Sequence, residues 1–290
     1  MSVVNLVAST LIALGLPFAC ASSEQVERGE QHVQRFERDV SIALRDNEAA
    51  DAAQRVVAET GNGSIVLESD PMLREVEVRA SFKVDGTDEK DAKRRAETTR
   101  LFAERHSDGT IVVQVVFAGK QMPRDAADVT VRVPAAGDSS LKSMNGAVRA
   151  RGTGGALKIV TRNGAIDVER HAGGVDARSD NGAITLDGIG GSVRARTTNG
   201  AIVVTLAEGS DAAVDLESRN GGVQLSVGGD FEGRIVARTI GGAITLVDPA
   251  KRALVPERGT ASMTVELGSV REESSVQTSN GAIKLIARPR

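Results

Sequence analysis

The side chains that could perform acid–base or metal chemistry are scattered along this sequence. The three histidines, His32, His106 and His171, lie far apart and lack metal-ligand spacing, so we interpret each as an ordinary surface residue. The glycine-rich stretch 188–191 matches neither a phosphate-binding loop nor a dinucleotide fingerprint. The sequence therefore indicates no metal site, no cofactor and no catalytic residue.

Three carboxylates come nearest to a glycoside-cleaving site, because such enzymes use paired Asp or Glu side chains. Asp167, Glu169 and Asp187 are predicted to share one sheet, but Arg149 and Arg151 accompany them. The chain has no Trp or Tyr and only six Phe, so aromatic platforms for sugars or bases are scarce. We predict that the protein is not an enzyme, and a polysaccharide-acting β-helix enzyme is the less favoured alternative.

A nine-residue sequence repeat predicts the strands on which any surface site must lie. Apolar residues recur at this spacing after glycine-containing turns: Val148, Leu157, Ile166, Val175, Ile184, Val193 and Ile202. A second small or apolar residue follows each of them two positions later, which is the period of a strand with alternate side chains inside. A fixed period of this kind predicts a solenoid.

Two kinds of corner alternate along the repeat, so one coil takes about 18 residues, rising to 21 later in the chain. Because Asn and Gly tolerate positive φ, we read the Asn-Gly pairs as corners. The spacing of nine, rather than six, favours a two-sheet, right-handed parallel β-solenoid over a left-handed helix of hexapeptides. The fold class is therefore all-β. We expect a structural ladder of corner amides formed by Asn145, Asn163, Asn181, Asn199, Asn220 and Asn280.

Outward-facing positions eighteen residues apart should stack in rows. One predicted sheet carries a row of alternating charge and a mainly basic row, which we interpret as solvated surface. The other sheet should present a flat, uncharged surface, here called the Thr–Val face, formed by Thr185, Val203, Thr205, Gln224, Ser226, Thr245 and Val247. Such a surface is either a binding face or is covered by the N-terminal part of the chain.

The chain divides into four predicted segments. They are a signal peptide (1–21), a polar tether (22–34), N-terminal strands with one α-helix (35–134, helix about 87–105) and a parallel β-solenoid (135–290). Thr87 is the predicted N-cap of the helix. We expect residues 35–134 to pack on the solenoid.

The first 21 residues carry no charged side chain and contain a compact apolar run, as an export signal does. Cleavage after Ala21 would release a soluble protein. Cys20, the only cysteine, also occupies a position at which a lipoprotein would be acylated. An uncleaved anchor is a third alternative. All three predict an extracytoplasmic protein in the periplasm, on the outer membrane or at the cell surface of a bacterium. Its membrane contact would come only through a lipid or an uncleaved signal.

The net charge is −3 and basic residues are interspersed with acidic ones, so no nucleic-acid partner is expected. Three segments, 59–65 (ETGNGSI), 129–134 (VTVRVP) and the train of NGAI and GGVxAR units, together resemble the bacterial putative-adhesin family. The resemblance covers roughly residues 35–290. It implies a β-solenoid of the cell envelope, similar to auto-transporter adhesin head domains, and brings no active site with it.

The expected function is a non-enzymatic, adhesin-like module that binds an envelope polymer or protein through one solenoid face. Some relatives in the resembled family are associated with envelope-stress signalling, so a sensing component is the alternative. The sequence names no specific ligand.

Overall fold

The computed structural model describes residues 34–45, 53–270 and 272–289. Strands follow one another along nearly the whole of this length, and a helix, α1 (Glu89–Thr98), separates β4 from β5. The strands up to the first regular coil are β1 (Gln34–Arg45), β2 (Gln54–Asn62), β3 (Ile65–Ser69), β4 (Glu75–Gly86), β5 (Arg100–Arg105), β6 (Ile111–Val116), β7 (Ala126–Val133), β8 (Ala136–Asn145) and β9 (Val148–Arg151).

The later strands are β10 (Leu157–Thr161), β11 (Ile166–His171), β12 (Val175–Ser179), β13 (Ile184–Ile189), β14 (Val193–Asn199), β15 (Ile202–Leu206), β16 (Val214–Asn220), β17 (Val223–Val227), β18 (Gly233–Gly241), β19 (Ile244–Val247), β20 (Leu254–Arg258), β21 (Ser262–Leu267), β22 (Glu273–Asn280) and β23 (Ile283–Ala287).

The described strands form two sheets. Sheet A has the order β1-β4-β7-β3-β9-β11-β13-β15-β17-β23-β19, and sheet B has the order β20-β21-β18-β22-β16-β14-β12-β10-β8-β2-β6-β5. Successive strands of the chain alternate between the sheets from β8 to β19, and their pairing within each sheet is parallel. This is the predicted two-sheet parallel β-solenoid.

The core lies between the two sheets and follows the alternation in the sequence. Ile184 and Leu186 point inward from β13 and are fully buried, whereas Thr185 between them is exposed. Equivalent residues of neighbouring strands stack at the same level, as Ile166, Ile184 and Ile202 do. The filling is mainly Val, Ile, Leu and Ala, which suits thin layers between parallel strands.

The first coil precedes the regular array and contains the segment 59–65. β2 pairs with β8 and β3 pairs with β9, both in parallel. The remaining N-terminal strands then extend both sheets beyond this coil: β7, β4 and β1 continue sheet A, and β6 and β5 continue sheet B. We expected this part of the chain to pack on the solenoid. Its strands instead continue the two sheets at the N-terminal end of the stack.

The helix is shorter than the predicted span of 87–105. It contains ten residues and its N-cap is Asp88, not Thr87, because the Asp88 side chain accepts a hydrogen bond from the Asp91 N–H. The helix ends before β5, in which Leu101 and Ala103 are buried at a period of two. The small apolar residues of this region fit both the period of a helix and the period of a strand. Because residues 100–105 pair with β6, they form a strand.

Helix α1 is anchored on the end of sheet A by a buried ion pair. The Arg95 guanidinium donates to Asp125 Oδ2 at 2.8 Å, and the two side chains are 9% and 0% exposed. Arg95 also donates to the carbonyl oxygens of Asp85 and Lys120. The buried Asp125 carboxylate would lose its charged partner if the helix moved away, so the ion pair fixes the position of the helix.

The order of the last coils differs from their order in the sequence. The coil formed by β22 and β23 lies between the β16–β17 coil and the β18–β19 coil. The hairpin β20–β21 then adds to β18 in antiparallel orientation. The last strand of the chain, β23, therefore lies inside sheet A, with β17 on one side and β19 on the other.

Candidate interaction face

The outward side of sheet A is built by the parallel register of its strands. Residues at the same level on neighbouring strands form two adjacent rows along the sheet. The first row contains Arg149, Asp167, Thr185, Val203, Gln224, Lys284 and Thr245. The second contains Arg151, Glu169, Asp187, Thr205, Ser226, Ile286 and Val247. All seven residues of the Thr–Val face therefore belong to these two rows.

The half of this surface nearer the N-terminal strands is charged, and its charges pair across strands. Arg151 Nη2 lies 3.2 Å from Glu169 Oε1, and Arg149 Nε lies 4.0 Å from Asp167 Oδ2. Arg132 lies 2.7 Å from Asp70 at the edge of the same surface. The Arg149 and Arg151 pairs are the more exposed ones; they support the strand register and each contribute little to stability.

The Thr–Val face forms the other half and is open to solvent, although not uniformly. Thr185 and Thr245 are exposed, and Val203, Thr205 and Gln224 are half-buried. Val247 is 39% exposed, whereas Ser226 is only 7% exposed and contributes little accessible surface. In the described residues the N-terminal strands extend the sheets rather than cover this face, so the self-covering alternative is not what the fold uses.

Two residues of the face were missed by sequence reasoning. The insertion of β23 places Lys284 between Gln224 and Thr245, and Ile286 between Ser226 and Val247. The face therefore contains an ammonium group, on the strand next to its β19 end, and is not uncharged. A signal for this order exists in the sequence: Asn280-Gly281 repeats the corner of the inner coils, whereas Gly241-Gly242 lacks the Asn.

The corner asparagines form a continuous ladder of side-chain amides. Each Nδ2 donates to the Oδ1 of the preceding coil at 2.6–2.8 Å, through Asn145, Asn163, Asn181, Asn199, Asn220 and Asn280. Asn62 begins the ladder, and its own Nδ2 donates to the carbonyl oxygens of Pro123 and Asp125. The sequence contained this signal in Asn62-Gly63, which the predicted ladder omitted.

A second ladder runs beside the amides and was also missed. A Ser or Thr two positions before each corner donates its hydroxyl to a glycine carbonyl of the neighbouring coil, through Ser143, Thr161, Ser179, Thr197, Ser218, Thr278 and Thr239. These side chains are buried, so each hydroxyl needs such a partner. The common motif is Ser/Thr-x-Asn-Gly, repeated with the coil.

The corner glycines are needed because the backbones of neighbouring coils approach each other closely there, and not because the backbone is left-handed. Only Gly63 among the Asn-Gly corners has positive φ, at 122°. A Cβ on Gly182 would lie 1.9 Å from the Gly164 carbonyl oxygen, and one on Gly221 would lie 2.0 Å from that of Gly200. The explanation from φ is thus corrected: the corners need glycine because neighbouring coils stack backbone on backbone there.

The outward side of sheet B carries the predicted charged rows. Lys158, Asp176, Arg194 and Asp215 follow one another in register and line a shallow groove of about 500 Å³. Arg194 and Arg196 both contact Asp215, at 3.4 and 2.9 Å. The second row has Arg178, Arg196 and Glu217, and then the inserted Gln277 before Arg238.

Of the predicted surface histidines, His171 is completely buried and His106 is exposed. His171 Nδ1 lies 2.8 Å from Thr153 Oγ1, and Nε2 lies 3.2 Å from the Gly174 carbonyl oxygen. Burial lowers the pKa of His171 from its ordinary value of 6.5, and hydrogen bonds to the corner backbone oppose this only in part. His171 therefore stabilises this corner as a neutral imidazole, through hydrogen bonds from both ring nitrogens.

Ser64 and Asp128 bring a serine hydroxyl and a carboxylate together at the N-terminal end of the stack. Ser64 donates both its hydroxyl and its N–H to Asp128 Oδ1 at 2.8 Å, and Lys83 Nζ lies 2.8 Å from Oδ2. Burial works against ionisation of Asp128, but these hydrogen bonds outweigh it and lower the pKa of its carboxyl. A carboxylate with lowered pKa is a weak general base.

Three predicted features lie outside the described residues: Cys20 with its signal segment, residues 22–33 of the tether, and His32 within them. In the part of the chain that the structure describes, no group of three or more His, Cys, Asp or Glu side chains could hold a metal ion. No helix in that part is long and apolar enough to cross a membrane.

Together these features define the class as a two-sheet parallel β-solenoid with corner ladders and two open outward faces. The family model described as Toastrack DUF4097 matches residues 95–239, and the chain belongs to this family. The resemblance noted in the sequence is confirmed. A search of curated proteins finds no match.

Solved structures similar to this chain include a putative cell adhesion protein from Clostridium sporogenes, which is 9% identical with a TM-score of 0.36. That alignment covers 87% of this chain and 100% of the other. A putative adhesin from Bacteroides fragilis is 10% identical with a TM-score of 0.39, over 88% of this chain and 97% of the other. Similarity at this level carries no argument about function.

Proposed function

We propose that this protein is a non-enzymatic binding module of the bacterial cell envelope, which holds an envelope polymer or protein against its Thr–Val face. The observation that supports this most is the openness of that face. Thr185 and Thr245 are exposed at its two ends, and the N-terminal strands that could have covered it extend the sheets instead.

The chemistry of the face suits an extended partner. Parallel strands repeat at about 4.8 Å, so equivalent side chains recur at that interval along a flat surface. Thr205 and Gln224 offer hydrogen-bond donors and acceptors, Val203 and Val247 offer apolar contact, and Lys284 offers one cation. Such a mixture favours a polymer or protein strand over a small ligand, which needs a concave site.

The protein is not proposed to be an enzyme, because the side chains that could take part in catalysis are engaged in other contacts. Asp167 and Glu169 lie against Arg149 and Arg151 on the neighbouring strand, so their carboxylates serve cross-strand ion pairs. Ser64 contacts a carboxylate, that of Asp128, whose pKa is lowered and which is therefore a weak general base. The corner ladders bond their donors to neighbouring coils and leave them no role in chemistry.

The envelope location rests on residues 1–21, which read as an export signal. Mass spectrometry of the mature protein from its host tests this directly. A chain that begins at residue 22, or one that begins at an acylated Cys20, agrees with the proposal. An intact, unmodified chain in the cytoplasmic fraction contradicts it.

Binding is tested by co-sedimentation of the purified chain with peptidoglycan sacculi and with outer-membrane vesicles. Thr205→Glu places a carboxylate on the Thr–Val face, between Asp187 and Ser226 in its second row. Gln277→Glu places one on the exposed outward side of sheet B and is the matched control. We expect the Thr205 variant to bind at least tenfold more weakly than the control. Equal binding by both variants, or no binding of the parent chain to either preparation, contradicts the proposal.

A further inference from the structure

The last coil in space is not the last coil in the chain. β22 pairs with β16 and β23 pairs with β17 in the parallel register of the inner coils, so Gln277 follows Glu217 and Ile283 follows Val223. The chain between β17 and β22 forms β18 to β21 at the end of the stack. We call residues 228–270 the cap segment. The other strands form a continuous stack whether or not the cap segment is docked on it.

The cap segment leaves the stack and returns to it at one place. It begins directly after β17 and ends shortly before β22. The Ser269 hydroxyl donates to Glu232 Oε2, and the Arg234 N–H donates to the Glu272 carbonyl oxygen at 2.9 Å, so the two connections lie side by side. Both connections contain glycine, which gives the backbone the conformational freedom of a hinge.

The cap segment is held less firmly than an inner coil. The amide ladder ends at Asn280, because Gly241 at the next corner has no side chain. Ile244 and Leu246 on β19 point toward the core but are only half-buried, whereas Ile283 on β23 is fully buried. Each coil of a solenoid contacts only its neighbours, so an end coil separates without disturbing the contacts of the others.

Contacts within the cap segment hold its strands to one another. β18 pairs with β21, and β21 pairs with β20, both in antiparallel orientation. Arg234 Nη2 on β18 lies 2.8 Å from Glu266 Oε1 on β21. These contacts do not involve the rest of the stack, so they persist when the segment leaves it. The segment therefore separates as one unit and not strand by strand.

One arginine links the cap segment to the last strand of the stack. Arg252, between β19 and β20, donates to the Arg288 carbonyl oxygen at 3.1 Å, directly after β23. The same guanidinium donates to the carbonyl oxygens of Gly228 and Gly229 in the first connection. Arg288 is itself fixed, because its Nη1 lies 2.8 Å from Glu208 Oε1. Arg252 therefore joins the cap segment, its hinge and the stack.

We propose that the cap segment opens as one unit, with residues 228–270 detaching from β22 and β23 about the paired connections while the rest of the stack stays folded. Opening breaks the pairs β18–β22 and β19–β23 and the hydrogen bond from Arg252 to Arg288. It leaves the pairs β16–β22 and β17–β23 intact. The open stack ends at the last amide of the ladder, that of Asn280.

The cap segment carries part of the Thr–Val face. Thr245 and Val247 lie on β19 and leave with the segment, whereas Gln224 and Lys284 stay on the stack. A polymer that contacts both Lys284 and Thr245 binds the closed state better and so holds the segment closed. This consequence rests on the proposed function of the face. The opening itself does not, and it is measured without a ligand.

Hydrogen exchange of the full chain, followed by mass spectrometry of its peptides, tests the opening. We expect the amides of residues 234–247 to exchange together, at least tenfold faster than those of residues 214–227 and 273–287. Equal protection of the three regions overturns the proposal. Exchange of 273–287 together with 234–247 also overturns it, because the opening unit would then include the inserted coil.

A disulfide across the opening interface tests which contact must break. On a Cys20→Ser background, Arg238→Cys with Gln277→Cys joins β18 to β22 at a pair of opposite residues. Neighbouring strands place such residues within the Cα separation of about 4.4–6.8 Å that a disulfide needs. Glu217→Cys with Gln277→Cys joins β16 to β22 inside the stack and is the matched control.

We expect the disulfide between residues 238 and 277 to slow exchange of residues 244–247 at least tenfold, relative to the same variant with reduced thiols. The control disulfide should change this rate by less than about twofold. Circular dichroism of the reduced variants checks that the fold is retained. An equal effect of the two disulfides overturns the proposal.

Removal of the linking arginine should have the opposite effect. Arg252→Ala should speed exchange of residues 244–247 about tenfold, because the closed state loses the hydrogen bonds to Arg288 and to the hinge. Exchange of residues 214–227 should stay unchanged. Arg258→Ala removes an exposed arginine from β20 and is the matched control. Equal exchange of residues 244–247 in the two variants overturns the role assigned to Arg252.

Discussion

Replacement of a single corner glycine tests why the coils can stack at their observed spacing. A Cβ on Gly221 would lie 2.0 Å from the Gly200 carbonyl oxygen and 2.5 Å from its carbon. Ordinary contacts of a Cβ begin at 3.4 Å. The corner must therefore open by roughly 1 Å or more, because close-packed backbone has no space to absorb the methyl group.

Opening the corner stretches the bonds that cross it. Three hydrogen bonds join this corner to the preceding coil: Ser218 Oγ to Gly200 O at 2.9 Å, Asn220 Nδ2 to Asn199 Oδ1 at 2.8 Å, and Ile202 N to Gly222 O at 3.0 Å. A displacement of about 1 Å takes each of them beyond hydrogen-bonding distance. At about 1 kcal/mol each, and more for the buried hydroxyl, we expect Gly221→Ala to destabilise the fold by about 3–5 kcal/mol.

The adjacent Gly222 provides a matched control. A Cβ there meets only the Ala282 carbonyl oxygen, at 3.3 Å, and φ is not positive. Four inner coils carry Ala at the equivalent position, namely Ala147, Ala165, Ala183 and Ala201. Gly222→Ala should thus change the free energy of unfolding by less than about 1 kcal/mol, with a gain from the stiffer unfolded chain.

Urea unfolding followed by far-ultraviolet circular dichroism measures both variants, because the chain lacks the Trp and Tyr needed for fluorescence. The two substitutions add the same methyl group to neighbouring residues. A free energy of unfolding that is equal for Gly221→Ala and Gly222→Ala would refute the argument from close approach.

Three further predictions concern the ladders, the buried imidazole and the helix anchor. Asn181→Ala removes two amide hydrogen bonds and should lower the free energy of unfolding by about 1–2 kcal/mol in urea titrations, and Asn280→Ala, at the ladder end, by about half. Because the folded-state pKa of His171 is lowered from 6.5, the unfolded chain binds more protons below pH 6.5, so stability is lost as pH falls from 6.5 toward the folded-state pKa, by at most about 1.4 kcal/mol per pH unit. Urea titrations from pH 7.5 to 5.5 should show this slope, and it should be absent in His171→Gln. Arg95→Ala leaves a buried carboxylate unpaired and should cost about 3–5 kcal/mol, whereas Arg94→Ala, which breaks an exposed pair, should cost less than about 1 kcal/mol by thermal unfolding.

The repeat predicted the architecture because each coil must satisfy the same local rules. Inward residues such as Ile184 recur at fixed spacing, and a parallel two-sheet solenoid is the arrangement that buries all of them. The amide ladder followed from the same spacing, since residues eighteen apart reach the same corner. The apolar positions and the corner asparagines recur in coil after coil, so their period can be recognised from the sequence alone.

The order of the last coils was not predicted, because any coil can pair with any other by the same rules. The choice between neighbours depends on small terms such as the Asn280 amide, which continues the ladder from Asn220, whereas Gly241 cannot. The position of Lys284 on the Thr–Val face follows from that choice. A face predicted in sequence order was therefore correct in its rows and wrong in its charge.

Burial of His171 and the early end of the helix were missed for a different reason. Both depend on tertiary contacts that a single sequence does not display: the Thr153 hydroxyl across the corner for His171, and β6 beside Leu101. The period around Leu101 was compatible with a helix until the pairing partner was known.

The arrangement of the coils is tested most directly by paired cysteines on the outward side of sheet B. On a Cys20→Ser background, Glu217→Cys with Gln277→Cys places the thiols on adjacent strands, β16 and β22, at one level. Glu217→Cys with Arg238→Cys places them two strands apart, about 9.6 Å. We expect an intramolecular disulfide in the first pair only. A disulfide in the second pair and none in the first would mean that the coils stack in sequence order, which contradicts the inserted coil.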